Sequence, residues 1–425
     1  MTSTMVPKRT LSVDEIDLSD LLNFWTLPMD EREGAFATLR EQRPIARFSE
    51  PDYGPIPPGP GYWAVTRHAD ILAISRDPAT FCSGKGATQI GDLPPEFNEF
   101  FGSMINMDDP RHARLRRIVS RGFTPRMLAK LQGGVESAAA DIVQAVREKG
   151  RIDFVTEVAA ELPLKIICDM MGIPDSDYQF VFDRSNVILG AGDPEYVPEG
   201  TDPITALLTA GGELDAMVKE LGAYRRENPT DDLTSMLVNA EVDGEKLTDQ
   251  ELGSFFVLLV VAGNETTRNA ISHGLWALSQ NPDQRRIWQD DFDAVAPTAV
   301  EEIVRWASPV IFMRRTATKD TVVNGQEIAE GDKLIMFYWS ANRDEAVFEN
   351  PYQFDVRRTP NDHVGFGGPG AHFCLGAHLA RREITVMFKE LFTHLPDIQA
   401  ADEPERLRSN FINGIKHLPA EFTPA

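Results

Sequence analysis

Ser254-Phe255-Phe256-Val257-Leu258-Leu259-Val260-Val261-Ala262-Gly263-Asn264-Glu265-Thr266-Thr267 reads as the middle of one long helix. Thr248, with Glu251 three residues on, forms a capping box ahead of it, and the pattern runs to about Gln280, before Asn281-Pro282. Roughly 30 residues of helix span about 45 Å. The first half is apolar on every side, so the helix is expected to cross the protein interior. It does not read as a membrane span, because the unbroken apolar run stops at Gly263, short of the ~20 residues a bilayer requires.

The interruption carries the chemistry. Gly263, Asn264, Glu265, Thr266 and Thr267 place a packing gap, an amide, an acid and two hydroxyls in an apolar helix. Burying such groups without partners costs roughly 1–3 kcal/mol each. A threonine hydroxyl bonded back to a carbonyl can bend a helix and open room for water or ligand. An acid beside a hydroxyl in a dry pocket can relay protons. A kinked core helix with satisfied polar groups fits the same residues.

Outward toward the C-terminus lies Gly365-Phe366-Gly367-Gly368-Pro369-Gly370-Ala371-His372-Phe373-Cys374-Leu375-Gly376. A glycine-rich loop delivers a lone thiol to the start of a helix. Backbone N–H groups and the partial positive charge of the first helical turn suit a thiolate there, and a thiolate so held suits a haem iron. Two other readings stand beside this one. A free cysteine is often a small buried hydrophobe. His372, Cys374 and His378 could be zinc ligands, although structural zinc usually takes four ligands in paired spacings.

Together these segments resemble the cytochrome P-450 family of haem-thiolate monooxygenases. Ala262 to Thr267 is similar to the family's oxygen-activating motif, and Glu302-Ile303-Val304-Arg305 to its Glu-x-x-Arg pair. Asn350 to Asp355 is similar to the segment before its meander, and Phe366 to Gly376 to its haem-binding loop. A Glu-x-x-Arg alone says little, since such pairs are common on helices; the ordered set is specific. The loop is one residue longer than usual between Phe366 and Gly370. Within the family the chain resembles an actinobacterial branch that oxidises lipids and sterols, and in that branch the hydroxylases of methyl-branched lipids.

The resemblance implies a mainly α fold with small β-sheets, a single large helical domain over 21–425 behind a mobile segment 1–20. Sheets are expected from Gly61 to Val65, Ile311 to Val323, Lys333 to Phe337 and the last residues. It implies haem b (iron protoporphyrin IX) with Cys374 as axial iron ligand. His112, Arg116, Arg315 and His372 would hold the haem propionates, with Phe366, Gly376 and Ala262 also against the haem. Thr266, Glu265, Asn264 and Gly263 would serve oxygen activation and proton delivery. Ile105, Val261, Ala262, Val310 and Phe411 would line the substrate pocket, with Met107 and 186–190 at its mouth. Glu302 and Arg305 would be structural.

The same resemblance implies ferredoxin and its NAD(P)H-dependent reductase as partners, with dioxygen and a hydrophobic lipid as substrates. The expected reaction is terminal hydroxylation of a methyl-branched fatty acid or isoprenoid. Sterol side-chain oxidation is the alternative, and a non-oxygenating or peroxide-driven haem protein a more distant one.

Composition bounds the rest. The chain has 425 residues and a net charge of −23, which argues against nucleic acid and anionic membrane surfaces. The three cysteines, Cys82, Cys168 and Cys374, give no disulfide framework and fit a reducing compartment. No signal peptide or apolar anchor opens the sequence, so a cytoplasmic enzyme is expected. A monomer is expected as well. Against the acidic trend, Arg111 to Arg121 carries five arginines. On a helix, His112 and Arg116 share one face and Arg114, Arg117 and Arg121 the opposite one. The outer set, with Arg381 and Arg382, is expected to dock an acidic ferredoxin.

Overall fold

The computed structural model describes residues 6–52, 57–190, 192–197, 199–242 and 244–424. Helices dominate it. The first five are α1 (Met29–Gln42), α2 (His68–Arg76), α3 (Pro95–Gly102), α4 (Arg111–Val119) and α5 (Pro125–Val146). Then come α6 (Glu161–Met171), α7 (Tyr178–Gly190), α8 (Pro203–Glu227) and α9 (Leu233–Asn239). The long helix is α10 (Asp249–Gln280), followed by α11 (Pro282–Asp290), α12 (Phe292–Ala307), the single turn α13 (Tyr338–Ala341) and α14 (Ala377–His394).

The sequence explains α10 directly. Thr248 accepts from the Glu251 amide and Glu251 returns a bond to the Thr248 amide, so two orphan N–H groups are satisfied at once. Its 32 residues make a rod of about 48 Å. Helices α6, α7, α8, α12 and α14 pack round it, and its buried residues continue from Leu252 to Leu278. The close approach of α6 needs Gly263, where an added Cβ would sit 2.3 Å from Ile167 Cδ1.

The strands are short. A five-stranded sheet runs in the order β1 (Ile45–Phe48), β2 (Tyr62–Val65), β10 (Lys333–Phe337), β7 (Phe312–Ala317), β3 (Phe81–Cys82). Within this sheet, β2 and β10 run parallel, with Lys333 opposite Tyr62. A three-stranded sheet joins β11 (Gln399–Ala400), β14 (Pro419–Glu421) and β4 (Arg151–Asp153). Three two-stranded ribbons complete the set: β5 (Glu241–Val242) with β6 (Glu245–Lys246), β8 (Thr321–Val323) with β9 (Gln326–Ile328), and β12 (Glu405–Arg406) with β13 (Ile415–His417). The mainly helical architecture with small sheets is as the sequence indicated.

The N-terminal segment makes contacts that its sequence does not announce. Residues 1–5 lie outside the described residues. The Lys8 amide donates to Asp30 O at 2.8 Å. Ile16 and Leu18 are buried in a cluster with Phe24, Trp25 and Phe36. These scattered apolar residues have no helical or strand period, so only packing against α1 reveals their role.

Candidate active site

Cys374 lies in a tight loop before α14. Its amide donates to Phe366 O at 2.9 Å. Gly370, at φ +152, presses against α2 so closely that a Cβ would meet Ser75 O at 2.4 Å. Water can reach the Cys374 side chain, yet the sulfur sits deep enough that burial is the main influence on it. Burial pushes the thiol pKa up, while the Gly376 and Ala377 amides and the Arg116 and Arg381 charges pull the other way. Donors at the start of α14 thus face the sulfur, which is what a thiolate needs. The Phe366 ring packs against Arg381, whose guanidinium carbon is 4.4 Å from the ring centroid.

Four basic side chains from three elements gather beside this loop. His112 and Arg116 come from α4, Arg315 from β7, and His372 from the loop itself. The His112 and His372 rings are 4.2 Å apart. Burial, then the charges of Arg315, His112 and Arg116, push His372 down to about 3. Burial likewise lowers the His112 pKa, and His112 Nε2 is buried without a partner among the described residues. Arg116 Nη2 donates to Phe373 O at 2.5 Å and Arg315 Nη1 to Arg314 O at 2.8 Å. Two guanidinium groups beside two histidine rings, one of them with an orphaned ring nitrogen, suit an anionic group. Together with a sulfur ligand, this donor set fits a haem, which carries one metal and two carboxylates. Among the described residues no three His, Cys, Asp or Glu side chains gather as a metal-ion site, so the zinc reading is set aside.

The polar stretch of α10 divides between two faces. Thr266 donates from Oγ1 to Ala262 O at 2.7 Å; it is half-buried, and Ala262 is exposed. Asn264 and Glu265 point the other way and are buried. Asn264 Nδ2 donates to Ser185 Oγ of α7 at 3.3 Å. Glu265 Oε2 accepts from Arg268, and Arg268 Nη1 donates to Asn186 Oδ1 of α7 at 2.9 Å. Burial raises the Glu265 pKa, with Arg268 opposing. Glu265 Oε1, Asn264 Oδ1 and Arg268 Nε are buried and unpartnered among the described residues. Sequence reasoning missed Arg268. Its signal was a glutamate–arginine i,i+3 pair inside an apolar helix, where a lone charge is costly.

The residues named for the pocket come from four elements. Val310 bridges Ile412 across the loop after β12, and the Phe411 ring stands 5.2 Å from Phe312. Val261 and Ile105 are partly buried and pack against the main core. Asn186 of the stretch 186–190 accepts from Arg268.

Glu302 and Arg305 of α12 form a bidentate pair at 2.7 and 2.8 Å, both side chains 0 % exposed. Arg305 Nη1 donates to Asn342 O and Pro351 O, each at 2.9 Å. Arg358, which sequence reasoning did not name, donates to Glu302 Oε2 at 3.1 Å. Arg343 Nη1 donates to Arg305 O at 3.0 Å.

The basic face of α4 is smaller than expected. Arg114 donates to Glu251 Oε1 at 2.8 Å and to Lys246 O at 2.9 Å, tying α4 to the start of α10. Arg381 pairs with Glu301 at 2.9 Å. Arg117 and Arg121 are exposed. No helix among the described residues is long and apolar enough to cross a membrane.

A sequence profile of the cytochrome P450 family matches residues 294–405. The methyl-branched lipid omega-hydroxylase of Mycobacterium tuberculosis is 51% identical over 420 residues, 98% of this chain and 97% of that protein. A steroid C26-monooxygenase of Mycolicibacterium smegmatis is 41% identical over 424 residues, 99% of this chain and 96% of that protein. The solved structure of a Mycobacterium marinum cytochrome P450 in complex with pseudoionone superposes with a TM-score of 0.90 at 45% identity, covering 94% of this chain and 96% of the other.

Proposed function

This chain belongs to the cytochrome P450 family and is a monooxygenase, and on that premise we propose that it hydroxylates the terminal carbon of a methyl-branched fatty acid or isoprenoid. The observation that carries the reading is the identity, over nearly the whole of both chains, with a methyl-branched lipid omega-hydroxylase. The steroid C26-monooxygenase relative supports a second reading, because a sterol side chain ends in a similar branched methyl pair.

The haem-thiolate cofactor, taken as haem b, would be held by Cys374 at its iron and by His112, Arg116, Arg315 and His372 at its two carboxylates. Bound haem supplies activated oxygen able to attack an unactivated C–H bond. The chain supplies the rest. Gly376 and Ala377 steady the negative charge on Cys374 through their amides. Val261, Ala262, Val310, Ile105 and Phe411 give apolar surface that excludes water. A terminal C–H is harder to break than an internal one, so the wall must hold the chain end-on and let geometry override reactivity. Thr266, on the open face of α10, can hold a proton at Oγ1. Glu265, with Asn264 beside it, can pass one on; burial raises its pKa above the ordinary carboxylate value while Arg268 opposes. Gly263 keeps α10 close to α6 at this point.

Electrons are assigned to a ferredoxin and its NAD(P)H-dependent reductase, with Arg117 and Arg121, exposed on α4, facing an acidic partner. The reading takes the protein as a cytoplasmic monomer whose catalytic unit is 21–425.

The test is a titration of the purified ferric protein with an iso-branched fatty acid, its straight-chain isomer and cholesterol, read at the Soret band. A spin shift at the lowest concentration for the branched acid is expected. A shift with cholesterol alone transfers the assignment to the sterol side chain, and none with any lipid removes both. Replacing Thr266 with alanine is expected to lower product formed per NAD(P)H by roughly tenfold or more, with hydrogen peroxide released instead. Undiminished coupling in that variant refutes the proton role of Thr266.

A further inference from the structure

The segment 192–197 follows α7 and carries two acids, Asp193 and Glu195. Asp193 is 3 % exposed. Its carboxylate accepts from the Arg408 amide at 3.0 Å and from the Glu195 amide at 3.1 Å, and Lys416 Nζ stands 3.4 Å away. Lys416, on β13, is itself 7 % exposed and reaches Glu195 Oε2 at 2.6 Å and Glu405 Oε1 at 3.0 Å. Its neighbour His417 bridges Asp153 of β4 at 2.5 Å and Glu195 Oε1 at 2.8 Å through its two ring nitrogens. Arg408 Nε adds a bond to Gly192 O at 3.1 Å.

These contacts join the end of α7 to the β12–β13 hairpin. On one side, α7 holds the α10 motif through Ser185–Asn264 and Asn186–Arg268. The segment is fixed to the end of α7: Asp193 N donates to Gly190 O at 2.7 Å, and Tyr196 packs so near that a Cβ on Gly190 would lie 2.4 Å from its ring. On the other side, the β12–β13 hairpin carries Phe411 and Ile412, the latter bridged to Val310. None of this clamp takes part in the chemistry described above, yet it buries a lysine and an aspartate, which is costly unless each keeps its partners.

We propose that Lys416 and His417 are positioning residues that clamp segment 192–197, and with it α7, onto the Phe411 hairpin, so that release of this ionic clamp sets the rate at which substrate enters and leaves. The proposal rests on the reading of 186–190 of α7 as the mouth of the pocket and of Phe411 as part of its lining. It makes passage depend on pH. The charged groups facing His417 are Asp153 of β4, Glu195 of the segment, and Lys416, Glu405 and Arg408 of the hairpin. Burial lowers the His417 pKa, but the hydrogen bonds to Asp153 and Glu195 outweigh it and leave the value raised. The imidazolium is therefore fully present below the ordinary histidine value and is lost as pH rises through the raised one. Its loss removes the cation held between Asp153 and Glu195, and the clamp loosens.

The test uses the full-length haem-loaded protein. Amide hydrogen exchange over 192–197 reads the clamp itself, and stopped-flow binding of imidazole and of the iso-branched fatty acid reads passage. In Lys416→Met, exchange over 192–197 and the association and dissociation rates are each expected to rise roughly tenfold, with affinity changing far less. Lys416→Arg is expected to restore most of the effect. In wild type the rates should climb with pH across the His417 window, and in His417→Gln that dependence should vanish. His417 is half-buried and its replacement leaves no buried charge unpaired, so this variant serves even where Lys416→Met folds poorly. Unchanged exchange in Lys416→Met, or the same pH dependence in His417→Gln, overturns the clamp. Altered exchange and imidazole rates with no lipid binding uphold the clamp and count against the lipid reading alone.

Discussion

Cys374→Ser is expected to abolish monooxygenase turnover, by at least about a thousandfold or ~4 kcal/mol of activation free energy, while leaving the helical fold intact. A serine hydroxyl nearly matches the thiol in size but does not ionise near neutral pH. The Gly376 and Ala377 amides and the Arg116 and Arg381 charges, which favour negative sulfur, would then face a neutral oxygen. The ligand would lose the electron donation that a thiolate gives its metal. The ferrous–carbon monoxide spectrum checks this: the thiolate-type Soret band of wild type should be absent from the variant, with far-ultraviolet circular dichroism unchanged. A retained thiolate-type band would move the ligand elsewhere, to Cys82 or Cys168. Cys168 is a poor candidate, buried in the core and pushed up to about 12 mainly by desolvation.

Glu302→Ala carries the second large effect, on stability. Glu302 and Arg305 are 0 % exposed, and Arg358 and the Asp355 amide also bond to the Glu302 carboxylate. Removing it leaves two guanidinium groups buried without their anion. Breaking one partner of a buried pair costs roughly 3–5 kcal/mol, a large share of the ~5–15 kcal/mol that holds a domain together. Urea unfolding of the haem-loaded protein should show a loss of this size. A Glu302→Leu, Arg305→Leu double variant should lose less than the sum of the two single changes, since neither charge is left stranded by the other. Burial would raise the Glu302 pKa, but Arg305 and Arg358 overcome it and hold it below the usual carboxylate range. Its contribution is thus complete at neutral pH and fades as pH falls through that lowered value. A single-variant loss under about 1 kcal/mol would show that the pair is not the structural lock described.

Much of the site was legible because its signals are local. The capping box at Thr248, the apolar length of α10 and the glycines before Cys374 each depend on residues a few positions apart, where backbone geometry fixes the outcome. His112 and Arg116 were readable as one face of a helix. The expected docking cations fared differently. Arg114 was grouped with Arg117 and Arg121 by helical phase, but phase says only which way a side chain points. Glu251, lying 137 positions away, decides what Arg114 does. The contacts of the N-terminal segment were illegible for a related reason: Ile16 and Leu18 have no period of their own and gain meaning only against Phe36 and Trp25.

The sequence alone therefore determined the helical class, the long buried helix, the order of the motifs and the placing of Cys374 at the end of a glycine-rich loop. These follow from backbone hydrogen bonding and side-chain periodicity, which act within a turn or two of chain. Only the tertiary structure decided which charges meet. Arg358 finds Glu302 across 56 positions, Lys416 finds Asp193 across 223, and Arg268 joins Glu265 to Asn186 of another helix. Electrostatic partnership depends on distance through space and on exclusion of water, and both are set by packing rather than by spacing along the chain.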